Sequence, residues 1–491
     1  MVTASDFLRP GVSVYCVGIK GTGVCALAEL MLSRGITVSG SDIDEVFYTD
    51  AILQELGIPY HNGFDAAHIT SGIDVIVYSA AYSAESNPEL NEAVRKSIPL
   101  IPYPDALGLY SAAFDSTGIA GVHGKTTTTA ICGCLIQSLG LPAQVLVGSA
   151  VANFAGKSTL VLGDKYFIAE TCEYRNHFLA FKPKRVVLTS VESDHQDFFP
   201  DYQSIRDAFV EYCRLIPSGG ELIYCADNPG AVEVASIIAN ENRGISLIPY
   251  GFTAQGDFRV SAYRVENDSA IFSINAFPEE IRLRVPGRHQ ALNSAAAIAL
   301  ASVLLKKENA DTKEKDQAWN EQRRFAVKHT LEEFSGSKRR SEIVGKTGGI
   351  IFMDDYGHHP TAITTTLKGL RDFFPSRRLV VSFMSHTFSR TAALLDEFAA
   401  ALALADVLFL HKIYASARER FDGNINGMSI YNSIKALETS CEVFYVDEPL
   451  DAFGPLTKIL KPDDLFLTLG AGNNWPLGLR LFDHYSGASH G

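Results

Sequence analysis

At 491 residues the chain is longer than one ordinary hydrophobic core, so two to four domains are expected. Its 46% hydrophobic and 20% charged residues are the make-up of a soluble globular protein. The formal net charge of -13 argues against nucleic-acid binding as the main task, since phosphate backbones reward clustered Lys and Arg, yet it leaves room for a local basic pocket around a small anion.

The first residues, "MVTASDFLRPGVSVY", hold no basic region followed by an apolar one, so no secretory signal is expected. Strand and helix then alternate. An apolar strand at 12–17 leads through "GIKGTG" to a helix over 24–33. A strand in "ITVSGSD", a helix over 50–56, a strand in "DVIVYSAA", a helix over 88–96 and the run "IPLIPY" follow. This rhythm predicts a parallel sheet with helices on its faces. The stretch "YPDALGLYSAAFDSTG" reads as a connection into a second unit.

That unit opens with the strand "TGIAGV", the loop in "GVHGKTTTT" and a helix through Leu139. The strands "KYFIAE", "RVVLTS" and "ELIYCAD" follow, with a helix over 205–215. Residues 247–285 read as antiparallel strands, and "VPGRHQALNSAAAIALASVLL" as a turn entering an Ala-rich helix. Its apolar part, 295–305, is too short to span a bilayer, which takes about 20 residues, so a cytoplasmic protein with no membrane partner is expected. The charged stretch 306–324 reads as a solvated helix or insertion. A third alternating unit then runs through "GGIIFM", "RLVVSFM", "DVLFLHKI", "EVFYVD" and "DLFLTLGAG". The eight cysteines are scattered without zinc spacing and read as reduced thiols. Three α/β units, with boundaries near 116 and 334, are the expected architecture.

In open α/β sheets ligands gather beyond the carboxyl ends of the strands. In the second unit one such end carries Gly121, Gly124, Lys125 and Thr126; the next carries Glu170 and Glu173; a third carries Glu192, Asp194 and His195. Backbone N–H groups at a helix start can hold phosphate oxygens, Lys125 can neutralise them, and Thr126 with a neighbouring carboxylate can ligate Mg²⁺. Glu170 and His195 could hold a second Mg²⁺, although that hard cation prefers oxygen to imidazole. The early glycine of the full phosphate-loop spacing is missing, because Ile119 occupies that position. The first loop has the form G-x-x-G-x-G rather than the dinucleotide fingerprint. With Asp42 placed for a ribose hydroxyl, it suggests a nucleotide-diphosphate site, with NAD as a rival and a plain tight turn as the alternative. In the third unit "DDYGHHPT", "SHTFSRT" and "GAGNNW" follow successive strands and offer polar ligand contacts.

Together, "GIKGTGVCALAELMLSRGITVSGSD", "GVHGKTTTT", "AETCEYRNHF", "SVESDHQD", "VPGRHQALNSAAA", "FSGSKRR", "DDYGHHPT", "HTFSRT" and "GAG" resemble the Mur ligases, over about 14–481. The resemblance implies three domains: an N-terminal Rossmann-like parallel sheet holding the UDP substrate over 1–115, a central ATPase-like α/β domain over 116–333, and a Rossmann-like domain over 334–491 that closes on the amino acid and ATP. It implies that ATP and Mg²⁺ activate the lactyl carboxylate of UDP-N-acetylmuramate, through an acyl phosphate, for attack by L-alanine. ATP is implied at Gly121, His123, Gly124, Lys125, Thr126 and Thr127, with His289 and Asn293 on the adenine side and Arg340 and Asp355 from the third domain. The implied metal residues are Thr126, Glu170 and His195, and the implied catalytic set is Lys125, Glu170, His195 and His358. UDP falls to Gly21, Thr22, Gly23 and Asp42, while Tyr356, His358 and Arg390 face the muramyl part or the amino acid.

The family's loop lacks the early glycine too, so Ile119 is no defect. Departures are Ser190 for Asn, Ser341 for an aromatic, and Met384-Ser385 for Gln-Pro. Some relatives carry a carbamoylated lysine in the central domain; none is expected here, because no lysine occurs from Arg185 to Leu305. A monomer or weak homodimer is expected. A sister ligase adding another amino acid or a recycled peptide, and a non-catalytic nucleotide-sugar-binding protein, are the competing readings.

Overall fold

A computed structural model describes residues 7–196, 198–310, 318–415 and 425–487. Residues 311–317, the middle of the charged stretch, lie outside the described residues.

The first sheet is five-stranded and parallel: β1 (Ser13–Val17), β2 (Thr37–Asp42), β3 (Tyr60–Asn62), β4 (Val75–Tyr78) and β5 (Leu100–Pro102), in the order β3-β2-β1-β4-β5. β1 therefore lies between β2 and β4, and the loop that leaves it opens at the point where the strand order reverses. The short β3 went unread in the sequence. The supposed connection after β5 is a helix, Tyr103–Ser111, since Pro104 falls in its first turn, where proline is tolerated.

A second sheet holds β6 (Asp115–Ala120), β7 (Ala143–Leu146), β8 (Thr159–Val161), β9 (Tyr166–Glu170), β10 (Arg185–Leu188), β11 (Glu221–Cys225) and β12 (Ser246–Tyr250). Their order is β12-β11-β10-β6-β9-β7-β8, parallel except for the β7–β8 pair. β9 and β10 are nearly continuous apolar runs, as strands covered on both faces must be. β12 corrects the antiparallel reading of 247–285, for it pairs in parallel with β11. The antiparallel sheet is smaller: β13 (Val260–Val265), β14 (Ala270–Ile274) and β15 (Ile281–Leu283). The Ala-rich helix runs over Arg288–Glu308, and Glu321–Glu333 forms a further helix.

The last sheet has β16 (Glu342–Thr347), β17 (Ile350–Asp355), β18 (Arg378–Phe383), β19 (Val407–Leu410), β20 (Glu442–Tyr445) and β21 (Asp464–Leu469), in the order β16-β17-β21-β18-β19-β20. Only the edge strand β16 is antiparallel, and the last strand in sequence lies at the centre. Its buried side chains Phe352, Val380, Phe409 and Phe466 share one cluster with Leu481 of the helix Trp475–Ser486.

The described residues pack into two compact units. One comprises those of Met1–Glu192, Arg206–Arg259 and Ala295–Thr330; the other comprises those of Ser193–Ile205, Val260–Ser294 and Leu331–Gly491. Among the described residues, no helix is long and apolar enough to cross a membrane.

Candidate active site

β6 sits between β10 and β9, so the loop after it meets both neighbouring strand ends. Gly121 has φ +137°, and a Cβ there would stand 2.1 Å from Thr189 Oγ1, so this turn admits only glycine. The loop is stitched to the end of β10. Val122 N donates to Ser190 O at 3.1 Å and His123 N to Ser190 Oγ at 2.8 Å. The serine that departs from the family pattern thus serves the loop directly.

Gly124, at φ +81°, caps the helix Lys125–Ser138. No side chain caps that helix and no acidic residue stands in its first turn, which leaves its N–H groups to an anion. Thr127 lies buried in the same turn.

Lys125 Nζ donates to Glu173 at 2.8 and 3.1 Å and to the Gly121 carbonyl. Burial alone would lower its pKa, but Glu173, Cys172 and Glu170 raise it above the usual lysine value, so the ammonium form persists. Glu173 itself is 2% exposed. The sequence placed it at this strand end; its pairing with Lys125 is a product of the fold.

Thr126 Oγ1 donates to Glu170 Oε1 at 3.1 Å, and Gly148 N donates to Glu170 Oε2 at 2.9 Å. A hydroxyl and a carboxylate side by side, both oxygen donors, suit Mg²⁺. His123, in the same loop, meets the carboxylate that follows β10, its Nε2 3.6 Å from Glu192 Oε2.

The glycine loop of the first sheet begins a second bare helix. Gly21 caps Thr22–Ser33 without a side-chain bond, and again no acidic residue occupies the first turn. Asp42 reaches this loop as expected, but its oxygens accept from Lys20 N at 2.7 Å and Ile43 N at 2.8 Å. The buried Lys20 turns its ammonium to the Ile43 and Glu45 carbonyls and to Asn62 Oδ1, so it braces the loop after β2.

The other unit holds the remaining expected residues. Asp194 Oδ1 accepts from Arg390 Nε at 3.1 Å and Nη2 at 2.8 Å, and from His195 N at 2.7 Å. Burial would raise the Asp194 pKa; Arg390 and the histidines at 195, 358 and 359 outweigh it and hold the carboxyl well below its usual range. Arg390 Nη1 is buried without a hydrogen-bond partner among the described residues. His358 Nδ1 lies 2.9 Å from the Tyr356 carbonyl, which can only accept, so the proton sits on Nδ1. Burial and Arg390 push its pKa well down, which keeps the ring neutral with Nε2 as an acceptor.

β17, β21 and β18 end level with one another, because Asp355 and Phe383 both pair with Leu469. Asp355 is spent on the backbone: Ser341 N and Gly357 N each donate to it at 2.7 Å. Ser341, the second departure, adds its hydroxyl at 3.2 Å. Met384 fills the space beside the last glycine turn, where a Cβ on Gly472 would stand 2.6 Å from its sulfur. Arg340 lies over the Tyr356 ring at 5.0 Å, and so does Arg339. The sequence reading passed over Arg339, which donates to Asp354 at 3.0 Å and to the Gly470 and Gly472 carbonyls at 2.7 and 3.2 Å. His289 occupies the space that a Cβ on Gly287 would need, and Asn293 donates to Gln290 at 3.1 Å.

Three family models match the chain: "Mur ligase family, catalytic domain" over residues 13–115, "Mur ligase middle domain" over 119–301 and "Mur ligase, glutamate ligase domain" over 339–472. A UDP-N-acetylmuramate–L-alanine ligase of Treponema pallidum is 47% identical over 475 residues, 97% of each chain. One from Borrelia garinii is 37% identical over 468 residues, 95% of this chain and 97% of the relative. Among solved structures, UDP-N-acetylmuramate–alanine ligase MurC from Thermotoga maritima shares the fold with TM-score 0.74 at 24% identity, covering 97% of this chain and 100% of its own. A murein peptide ligase from Psychrobacter arcticus shares it with TM-score 0.65 at 22% identity, covering 98% and 100%.

Proposed function

The chain belongs to the Mur ligase family, and from that premise we propose that it joins L-alanine to the lactyl carboxylate of UDP-N-acetylmuramate at the expense of ATP, in peptidoglycan precursor synthesis. The observation that carries this reading is the grouping of Lys125, Thr126 and Glu170 at an uncapped helix start.

A lactyl carboxylate oxygen attacks the γ-phosphorus of ATP, ADP leaves, and an acyl phosphate forms. The amine of L-alanine then attacks the carbonyl carbon and gives up a proton, and phosphate departs with the electrons of the C–O bond. The protein positions these groups and neutralises their charge. The loop N–H groups and Lys125 hold the phosphates. Thr126 and Glu170 would hold Mg²⁺, which supplies further charge neutralisation on the phosphate oxygens when bound, and His195 is assigned to a second Mg²⁺. The unpartnered Arg390 Nη1 suits a carboxylate of the amino acid or muramyl group, and neutral His358 Nε2 suits an amine N–H. Tyr356 takes the muramyl or amino-acid side of the third domain, and Arg340 takes the ATP side. Gly21, Thr22 and Gly23 take the diphosphate at the first bare helix, and His289 and Asn293 take the adenine side.

We assign the UDP substrate to residues 1–115, ATP to 116–333, and the amino acid with closure over ATP to 334–491. The enzyme works in the cytoplasm as a monomer or weak homodimer. Phosphate release with UDP-N-acetylmuramate and a panel of amino acids and peptides tests the reading. L-alanine should be preferred; preference for another amine means a sister ligase, and no ATP-dependent ligation at all means a nucleotide-sugar-binding protein.

A further inference from the structure

Three tyrosines crowd the glycine loop after β1. A Cβ on Gly18 would stand 2.8 Å from the Tyr82 ring, and the Tyr82 hydroxyl donates to Asp42 Oδ1 at 3.3 Å. Tyr48 donates its hydroxyl to Thr22 Oγ1 at 2.9 Å. Tyr103 takes the third side: a Cβ on Gly23 would stand 2.7 Å from its Cζ and 2.8 Å from its hydroxyl oxygen. Of the three, only Tyr103 has a hydroxyl with no hydrogen-bond partner among the described residues, and its side chain is half-buried rather than sealed.

The location is specific. Gly23 lies in the first turn of the uncapped helix Thr22–Ser33, where free N–H groups favour an anion. Tyr103 also opens the helix that links the first sheet to β6. Burial, with Glu170 and Cys172 in electrostatic reach, pushes its pKa well up, so the phenol stays a donor at any working pH. A hydroxyl that touches the anion-binding helix start and feels the metal-side carboxylate occupies the ground a nucleotide-diphosphate sugar must cross between them.

We propose that Tyr103 is a substrate-binding residue whose hydroxyl donates to a diphosphate oxygen of the UDP substrate at the start of the helix Thr22–Ser33. This rests on the ligase reading above. A purely structural ring would fill the space beside Gly23 equally well as phenylalanine, so the hydroxyl is the element to test.

Calorimetric titration of the ATP-free full chain with UDP-N-acetylmuramate, and separately with UDP, makes the test. Tyr103→Phe should weaken both ligands about tenfold, as expected for a lost hydrogen bond to a charged acceptor. Its ATP affinity and thermal midpoint should match the native chain. Gly23→Ala, which displaces the ring, should weaken the same two ligands. Native affinity for both in Tyr103→Phe overturns the inference, as does an equal loss for ATP. A loss confined to the sugar-bearing ligand overturns the assignment to the diphosphate. If the native chain itself binds neither ligand, the ligase reading fails first, and the two failures are told apart.

Discussion

Lys125 Nζ and Glu173 Oε2 stand 2.8 Å apart at the mouth of the phosphate loop, joined although the strands β7, β8 and β9 separate them in sequence. The pair is almost wholly withdrawn from solvent, with side chains 12% and 3% exposed. A bound phosphate therefore meets a lysine that already has a carboxylate, and the loop keeps its cation in place between turnovers.

Lys125→Ala should abolish ATP-dependent ligation, a loss of about 10³-fold or more in rate, while UDP-N-acetylmuramate binding survives. Lys125→Met should also cost about 3 kcal/mol of stability, because it strips a buried carboxylate of its cation. Lys125→Met/Glu173→Leu should recover most of that loss. Urea unfolding of the three variants checks the ordering, and a double variant less stable than the single would refute it.

Gly148→Ala should raise the Mg²⁺ requirement about tenfold with little change in thermal stability. A Cβ there would stand 2.5 Å from Glu170 Oε2, the oxygen that now accepts from Gly148 N, so the carboxylate must turn away. Phosphate release titrated with Mg²⁺ measures the shift.

Arg339→Lys should lower stability by about 2 kcal/mol, and Arg339→Ala by more. The planar guanidinium serves Asp354 and the Gly470 and Gly472 carbonyls at once, which a single ammonium cannot reproduce. Native-like unfolding midpoints for Arg339→Lys would contradict this.

Acid should weaken the protein through His411. Burial lowers its pKa to about 4, while it donates Nδ1–H to the Val446 carbonyl at 2.7 Å and its Nε2 lies 2.8 Å from Ser382 Oγ. The folded value lies below the ordinary 6.5, so the unfolded chain binds the proton first as pH falls. Stability is full above pH 6.5 and drains away down to about pH 4, by up to about 3 kcal/mol. His411→Gln should flatten that slope in thermal scans from pH 7.5 to 4.5.

Much of the site was legible because strand ends carry it. The loop of Gly121, Gly124 and Lys125 and the carboxylate of Glu170 each follow an apolar run, and the sheet order brings those runs together. Position was legible where employment was not. Asp42 and Asp355 stand where the strands end, yet backbone N–H groups occupy their oxygens, and no sequence pattern reports that. β12 was missed because Pro249 speaks against a central strand; it is an edge strand, where proline is tolerated. Tyr103 was hidden between two prolines that read as a linker, and its closeness to Gly23 follows only from the packing of its helix. Glu173 was in view, but three residues after a strand end a carboxylate can point anywhere.

The order β10-β6-β9 also governs how the protein is born. A nascent chain that has just exposed the phosphate loop owns nothing to shape it, because the turn at Gly121 leans on Thr189 and Ser190. Until Leu188 and its successors clear the ribosome, β6 keeps the edge that β10 will cover open, an attractive partner for other chains even after β9 has paired with its other side. Truncations that end before β10 should therefore aggregate rather than bind nucleotide.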